Sequence, residues 1–397
     1  MAYLTKTDRI MEQAAAPGTG NVTLGGAVTG FRTFASVLNS ANPDTCAYLI
    51  EAVDANGIPT GPWERGFGTL TAATTFVRTV VLESMQGPGS AVNFTTGIRI
   101  SSVPMTETTQ FYPQPGGRLT LSATLPVAEV GGGSTMLYYL PYLHDRVPLW
   151  NGYAIQVVSV TNGVSLNLTS VGLAINSVYD VFGFISATGA MNLEVLVWTD
   201  LHNRATNITV QNGLPCKQTD ATRLYLGTFY TPSGNQIYDV GTGVGSGGQP
   251  KRYLWNYYNR VQRHIVMYDN TASWSWATNA WRVMRGLTPP NGTVEMVRGN
   301  NDDEVILYAT LACNPPVNCT GYVCFSLDSA TATTGPCSYG MITNNATYNL
   351  AKQITAVYTG YPGIGYHYMG CMENSYGGTV SFGGNWGGNG IAGIVWA

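Results

Sequence analysis

Residues 178–185 read Val178-Tyr179-Asp180-Val181-Phe182-Gly183-Phe184-Ile185, and Leu193–Trp198 and Leu224–Thr231 continue in the same vein. β-Branched and aromatic side chains of this kind fit a pleated, half-buried surface. Strand-length runs bounded by Gly, Asn, Pro and Asp recur outward from this stretch in both directions. Upstream lie Asn21–Leu24, Cys46–Val53, Phe76–Leu82, Ile98–Val103, Met136–Leu140 and Ala154–Val160. Downstream lie His264–Tyr268, Thr293–Val297, Val305–Leu311 and Tyr366–Met369. Lys and Glu, the usual solvent-facing helix residues, are scarce. The chain therefore reads as all-β, with two to three β-sandwich or jelly-roll domains in series.

The expected blocks are 1–105, a β-domain, and 118–240, a middle β-sandwich, joined by a linker over 106–117 that contains Pro113, Pro115 and Gly116-Gly117. A Gly-rich hinge over 241–250 then leads to a C-terminal sandwich, 251–397. Asp8 and Pro17-Gly18 bracket a short N-terminal helix from Thr7 to Ala16, with an extended anchor as its alternative.

Composition narrows the function. The 397 residues include only 19 Lys+Arg and 22 Asp+Glu, 10% charged with net charge −3, against roughly a quarter charged in an ordinary domain. Without a basic excess there is nothing to neutralise phosphates, so no nucleic-acid partner is expected. No apolar run approaches the ~18–20 residues of a membrane span, so membrane insertion is not expected. The first residues, MAYLTKTDRIMEQ, lack the apolar core of a secretory leader. A chain this poor in charge cannot guard many strand edges with Lys, so edges buried by oligomerisation are expected.

The seven cysteines are uneven: Cys46 and Cys216 stand alone, and Cys313, Cys319, Cys324, Cys337 and Cys371 cluster. Their spacing forms no paired C-x2-C knuckles, and no metal or other cofactor is expected. Disulfides between loops and buried reduced thiols remain alternatives.

An ordered series occupies the first block: Asp8-Arg9-Ile10, Glu12, Gly18-Thr19-Gly20, Leu24-Gly25-Gly26-Ala27 and Gly30-Phe31-Arg32-Thr33-Phe34, then Tyr48 to Glu51, Trp63-Glu64, Gly66, Gly68-Thr69, Arg78-Thr79 and Gly97. This series resembles the N-terminal module of tailed-bacteriophage virion structural proteins: tail fibres, head fibres and minor structural proteins. Leu137-Tyr138-Tyr139-Leu140-Pro141-Tyr142, Trp255-Asn256-Tyr257-Tyr258-Asn259-Arg260 and Gly365-Tyr366-His367 are similar to the distal parts of such proteins. The resemblance implies a homotrimeric fibre or spike, assembled in the host cytoplasm and carried on the virion. Its first domain would attach to tail, portal, collar or capsid proteins, and its distal part would contact host-surface polysaccharide or protein. A capsid or collar decoration protein is the alternative, and a polysaccharide depolymerase a further one.

Catalytic residues are not expected. His144, His202, His264 and His367 sit in no ligand or nucleophile-activating spacing, and no G-x-S-x-G elbow is present. Asp302-Asp303-Glu304 is the densest acidic cluster, though adjacent carboxylates more often make a solvated turn than a glycosidase pair. Rings suited to lie on sugar faces are Trp274, Trp276, Trp281, Tyr361, Tyr366, Tyr368 and Trp386. Tyr3, Leu4, Arg9, Ile10 and Met11 are the expected virion-anchor residues.

Overall fold

A computed structural model describes residues 9–40, 44–103, 114–153, 155–243, 249–345, 351–383 and 388–397. The chain is all-β, with one four-residue α-helix, Leu168–Val171, among the described residues. It divides into two compact units, Met1–Phe111 and Tyr112–Ala397.

The first unit closes on itself. Strands β1 (Met11–Ala14), β2 (Val22–Ala27), β3 (Thr45–Val53), β4 (Pro59–Ala72), β5 (Thr75–Ser84) and β6 (Ile98–Ser102) form a barrel in the order β1-β2-β5-β4-β3-β6. Strand β6 returns to β1 with Met11 opposite Ser101 and Ala14 opposite Ile98. A barrel thus stands where a sandwich was expected, and closure removes the edges that a sandwich would have to guard. The expected helix over Thr7–Ala16 is replaced by β1 across its described part: Ile10 and Ala14 are buried against Val22, Phe34, Phe76 and Ile100. Tertiary pairing outweighs the local start and stop signals there.

Five residues of the ordered series in the first block, Gly18, Gly20, Tyr48, Glu64 and Arg78, are joined in one hydrogen-bond network. Glu64, fully buried, accepts hydrogen bonds from the Tyr48 hydroxyl at 2.9 Å, Arg78 Nη1 at 2.9 Å and the Val92 N–H at 2.8 Å. Arg78 also donates to the carbonyls of Gly18 and Gly20 at 3.2 and 2.9 Å. A buried ion pair persists only when its remaining donors and acceptors are met, and here they are. Gly66 and Gly68 complete the reason for the motif. A Cβ at Gly66 would collide with the Val80 carbonyl and one at Gly68 with the Phe76 ring, where the β4–β5 register slips by bulges.

The second unit contains two sheets facing each other and a further sheet group. The eight-stranded sheet runs Gly340–Asn344, Cys319–Leu327, Gly365–Tyr376, Thr293–Arg298, Lys251–Arg252, Ile237–Val240, Val130–Ser134, with Arg282–Val283 also paired to Gly365–Tyr376. The six-stranded sheet runs Gln262–Tyr268, Gly390–Trp396, Val305–Asn314, Val380–Phe382, Trp274–Trp276, with Lys352–Gly360 also paired to Val305–Asn314. Met296, Phe325 and Met369 from the first and Ile265, Leu307 and Ile391 from the second fill one shared core. The other group centres on Ser177–Ile185 and Asp220–Thr231, the stretch on which the all-β reading rested. Its core holds Tyr139, Val181, Phe182, Leu226, Phe229 and Trp255.

Two expected boundaries take a different form. The Gly-rich stretch 241–250 joins two strands of one sheet, with Asp239 opposite Arg252 and Val240 opposite Lys251. Gly241 is held at both backbone groups, its N–H on Glu129 and its carbonyl accepting from Val266 N–H at 2.7 Å. The blocks on either side, expected as separate sandwiches, therefore share this sheet. Residues 115–117, expected in the linker, are buried in the second unit, where Asn259 Nδ2 donates to the Pro115 and Gly117 carbonyls at 2.8 and 3.0 Å. No helix among the described residues is long and apolar enough to cross a membrane.

Candidate functional site

Strand Trp274–Trp276 forms one end of the six-stranded sheet, pairing Trp274 with Phe382 and Trp276 with Val380. Side chains two apart on a strand share a face, so both indoles project together. A carboxylate from the other sheet holds the first of them directly. Glu373, fully buried, accepts from Trp274 Nε1 at 2.5 Å and from Arg282 Nε at 2.7 Å. Burial raises the Glu373 pKa, and the Trp274 and Arg282 donors partly offset that rise.

Arg282 then reaches outward. Its guanidinium lies 3.9 Å from the Trp276 ring centroid and donates to the Ser275 carbonyl at 3.1 Å. A cation over an indole face is a favourable electrostatic contact. Trp276 Nε1 in turn donates to the Ala280 carbonyl at 2.9 Å. The neighbouring Trp281 packs against Tyr339 at 5.6 Å and Tyr322 at 6.2 Å between ring centroids. Tyr339 is 54% exposed and Trp276, Trp281 and Tyr322 half-buried. The result is two separate aromatic groups: Trp274 and Trp276 with Arg282 and Glu373 where the two sheets meet, and Trp281, Tyr322 and Tyr339 on the opposite face of the eight-stranded sheet, beside Cys324 and Met372.

Two expected ring residues, Trp274 and Trp276, are thus brought together, and Trp281 stands apart from them with Tyr322 and Tyr339. Others join neither group. Tyr366 stacks on Tyr230 at 4.2 Å and donates its hydroxyl to Glu295, which also accepts from Tyr253 at 2.6 Å. Glu295, Tyr230 and Tyr253 of this cluster are buried, and Tyr366 packs half-buried against them. Tyr368 is half-buried on the same strand, its backbone N–H on Asp328 at 2.9 Å. Tyr361 is 55% exposed in the turn after Lys352–Gly360 and has no ring neighbour among the described residues. Trp386 lies outside the described residues.

The anchor residues also separate. Tyr3 and Leu4 lie outside the described residues. Ile10 is 1% exposed in the barrel core, so its side chain serves its own barrel, whereas Met11 opens β1 half-buried on the face opposite Glu12 and Ala14. Arg9 stays exposed and donates to the Gly30 carbonyl at 3.2 Å.

Tyr322 and Tyr339, which join Trp281, escaped the sequence reading, as did Glu373, which joins Trp274 and Arg282. A second aromatic hollow, about 460 Å³, is lined by Tyr257, Tyr258, Trp396, Asn259, Arg260 and Asp303. Its polar groups are largely engaged with one another and with backbone: Arg260 bridges Asp302 and Asp303, and Asn259 holds Pro115 and Gly117. Burial opposes it, but Arg260 holds the Asp302 carboxyl below its ordinary value. His202 and His367 stand 5.1 Å apart, with His367 Nδ1 2.7 Å from Asp328. Among the described residues no three His, Cys, Asp or Glu side chains are grouped to hold a metal ion.

The sequence matches no family model and no curated protein. Its similarities to solved structures are faint. The insecticidal delta-endotoxin Cry8Ea1 of Bacillus thuringiensis gives a TM-score of 0.17 at 9% identity, covering 74% of this chain and 55% of the toxin. A Cry1Da tryptic core variant of Bacillus thuringiensis gives 0.17 at 10% identity, covering 74% and 54%. The chain thus spans about half the length of these toxin structures. A structure of infectious bursal disease virus Gt strain gives 0.12 at 10% identity, covering 97% and 78%. At these TM-scores the neighbours carry no argument about fold or function.

Proposed function

We propose that the chain is a bacteriophage virion structural protein, a homotrimeric fibre or spike that adheres to host-surface polysaccharide through Trp281, Tyr322 and Tyr339. The observation that carries this reading is the group of Trp281, Tyr322 and exposed Tyr339 on the outer face of the eight-stranded sheet. Flat aromatic faces beside fixed polar groups suit sugar rings, whose axial C–H groups need an apolar face while their hydroxyls need hydrogen bonds. Attachment to the particle belongs to the first unit in this reading, because the ordered series that resembles virion proteins lies in its barrel. Many weak sites on a trimer, repeated around a particle, would bind through avidity.

Trimerisation is favoured by the contrast in edges. The barrel has none, whereas the second unit leaves strand Ile208–Gln211 at the end of its sheet with Val210 68% exposed. Such an edge calls for a covering partner.

Static light scattering on the full chain, followed by binding to an array of bacterial surface polysaccharides, tests the proposal. The reading predicts about three times the 42.5 kDa chain mass and retention on a subset of glycans. A monomer that binds none of them would favour a decoration protein, and release of reducing ends from a bound glycan would favour a depolymerase.

A further inference from the structure

Beneath the ring surface lies a pair of thiols. Cys324 sits mid-strand in Cys319–Leu327, opposite Met372, and is fully buried. Cys337 lies in the loop that connects this strand to Gly340–Asn344, and its Sγ is 2.7 Å from that of Cys324. The two form a small apolar cluster with Val283 and Met372, against which Trp281, Leu287 and Ala330 pack. Two residues beyond Cys337 comes Tyr339, the ring that meets Trp281.

We propose that Cys324 and Cys337 are an oxidation site, and that the disulfide formed there fastens the loop bearing Tyr339 against Trp281. The pairing is selective for a geometric reason. Cys371 is the next cysteine on the adjacent strand, but it stands opposite Phe325 and packs into the core on the other face of the sheet. Cys313 and Cys319 pack into that same core. Cys337 is half-exposed whereas the other six cysteines are buried, so a reagent meets Cys337 first. Its thiol is lowered to about 6, chiefly by the hydrogen bond from Cys324, whereas Cys324 is raised by that same contact and by burial. A thiolate is the attacking species in exchange, and Cys337 is the better placed to be one.

The oxidant is a low-molecular-weight disulfide. Cys337 thiolate attacks one of its sulfurs, breaking the reagent S–S bond and expelling one thiolate. Cys324 then gives its proton to a departing thiolate while its sulfur attacks Cys337, forming the Cys324–Cys337 bond and expelling the second thiol. Two protein thiols lose two electrons and one reagent disulfide becomes two thiols. The bond closes a short loop, fastening a segment now held by Thr334 on both backbone groups of Leu327 and by Ser338 on Val357. This inference does not depend on what the ring surface binds.

The test is to incubate the full chain with oxidised glutathione, alkylate, and map peptides without reduction. The expected result is a fall from seven to five free thiols and one linked peptide joining Cys324 to Cys337. Amide exchange over residues 328–339 should slow about tenfold or more on oxidation, because cross-linking removes open states of the loop. Cys337→Ser should keep its six remaining thiols and show no slowing. Seven thiols after oxidation, a bridge between any other pair, or unchanged exchange in the bridged protein would overturn the proposal.

Discussion

Glu295 and Glu373 lie on neighbouring strands of one sheet, both are buried, and both gather aromatic side chains, yet they do so through different donors. Glu295 accepts from two phenols, Tyr253 and Tyr366, with Tyr230 stacked on Tyr366. A phenol has one donor, and once that is met nothing in the cluster needs water. Glu373 accepts from an indole and a guanidinium. A guanidinium has five N–H groups in a fixed fork, and Arg282 places the ones that Glu373 leaves over Ser275 and Trp276 at the surface. The donor's chemistry decides how far each cluster extends: the phenols end at Glu295, whereas the guanidinium carries the other cluster on from Glu373 to Ser275 and Trp276.

This comparison can be broken at several points. The largest effect is expected from Glu373→Ala, which strips the acceptor from a buried indole N–H and from Arg282. Loss of about 3 kcal/mol in urea unfolding is the expected outcome. Arg282→Lys should cost about 1.5 kcal/mol, since an ammonium cannot hold Glu373, Ser275 and the Trp276 face together. Near-UV circular dichroism should report loosened tryptophans in that variant and an undisturbed signal in Tyr366→Phe. Tyr366→Phe should cost about 1 kcal/mol by removing one of two donors to Glu295 while keeping the stacked ring.

The smallest effect is on pH dependence. Burial raises both Glu295 and Glu373 above the ordinary carboxyl value, against their hydrogen-bond donors. A carboxyl raised on folding binds its proton more tightly in the folded state. Its contribution is therefore present at low pH and is lost as pH rises from the ordinary carboxyl range through the raised value. Glu129 and Glu194 are lowered despite burial, by Arg252 with Gly241 and by Lys217 with Arg223 respectively, so their contribution is lost as pH falls. Glu295→Gln should flatten the alkaline limb of a stability–pH curve and leave the acid limb in place. An unchanged alkaline limb would remove Glu295 from this account.

What the sequence disclosed follows the range of the interactions. Strands such as Val178–Ile185 announce themselves locally, and so the all-β class was legible. The Gly and charged positions of the first block were legible as an ordered series, although their convergence on Glu64 was not. Trp274, Trp276 and Trp281 could be named as candidate rings because they lie within eight residues. Glu373 could not, being 99 and 91 residues from Trp274 and Arg282. Tyr322 and Tyr339 arrive through the register of Cys319–Leu327 with its neighbours, which no local pattern encodes. The same limit explains Tyr366, indistinguishable in sequence from a surface ring, and the 241–250 stretch, whose flanking strands pair with each other.

The most direct measurement sets Trp281→Ala beside Tyr366→Phe on the bacterial polysaccharide array, each checked for folding and oligomeric mass. The account predicts that Trp281→Ala weakens glycan retention about tenfold or more, as loss of a central aromatic anchor does, while Tyr366→Phe binds as the unaltered protein does. Equal retention by all three proteins would contradict it, and so would a loss confined to Tyr366→Phe.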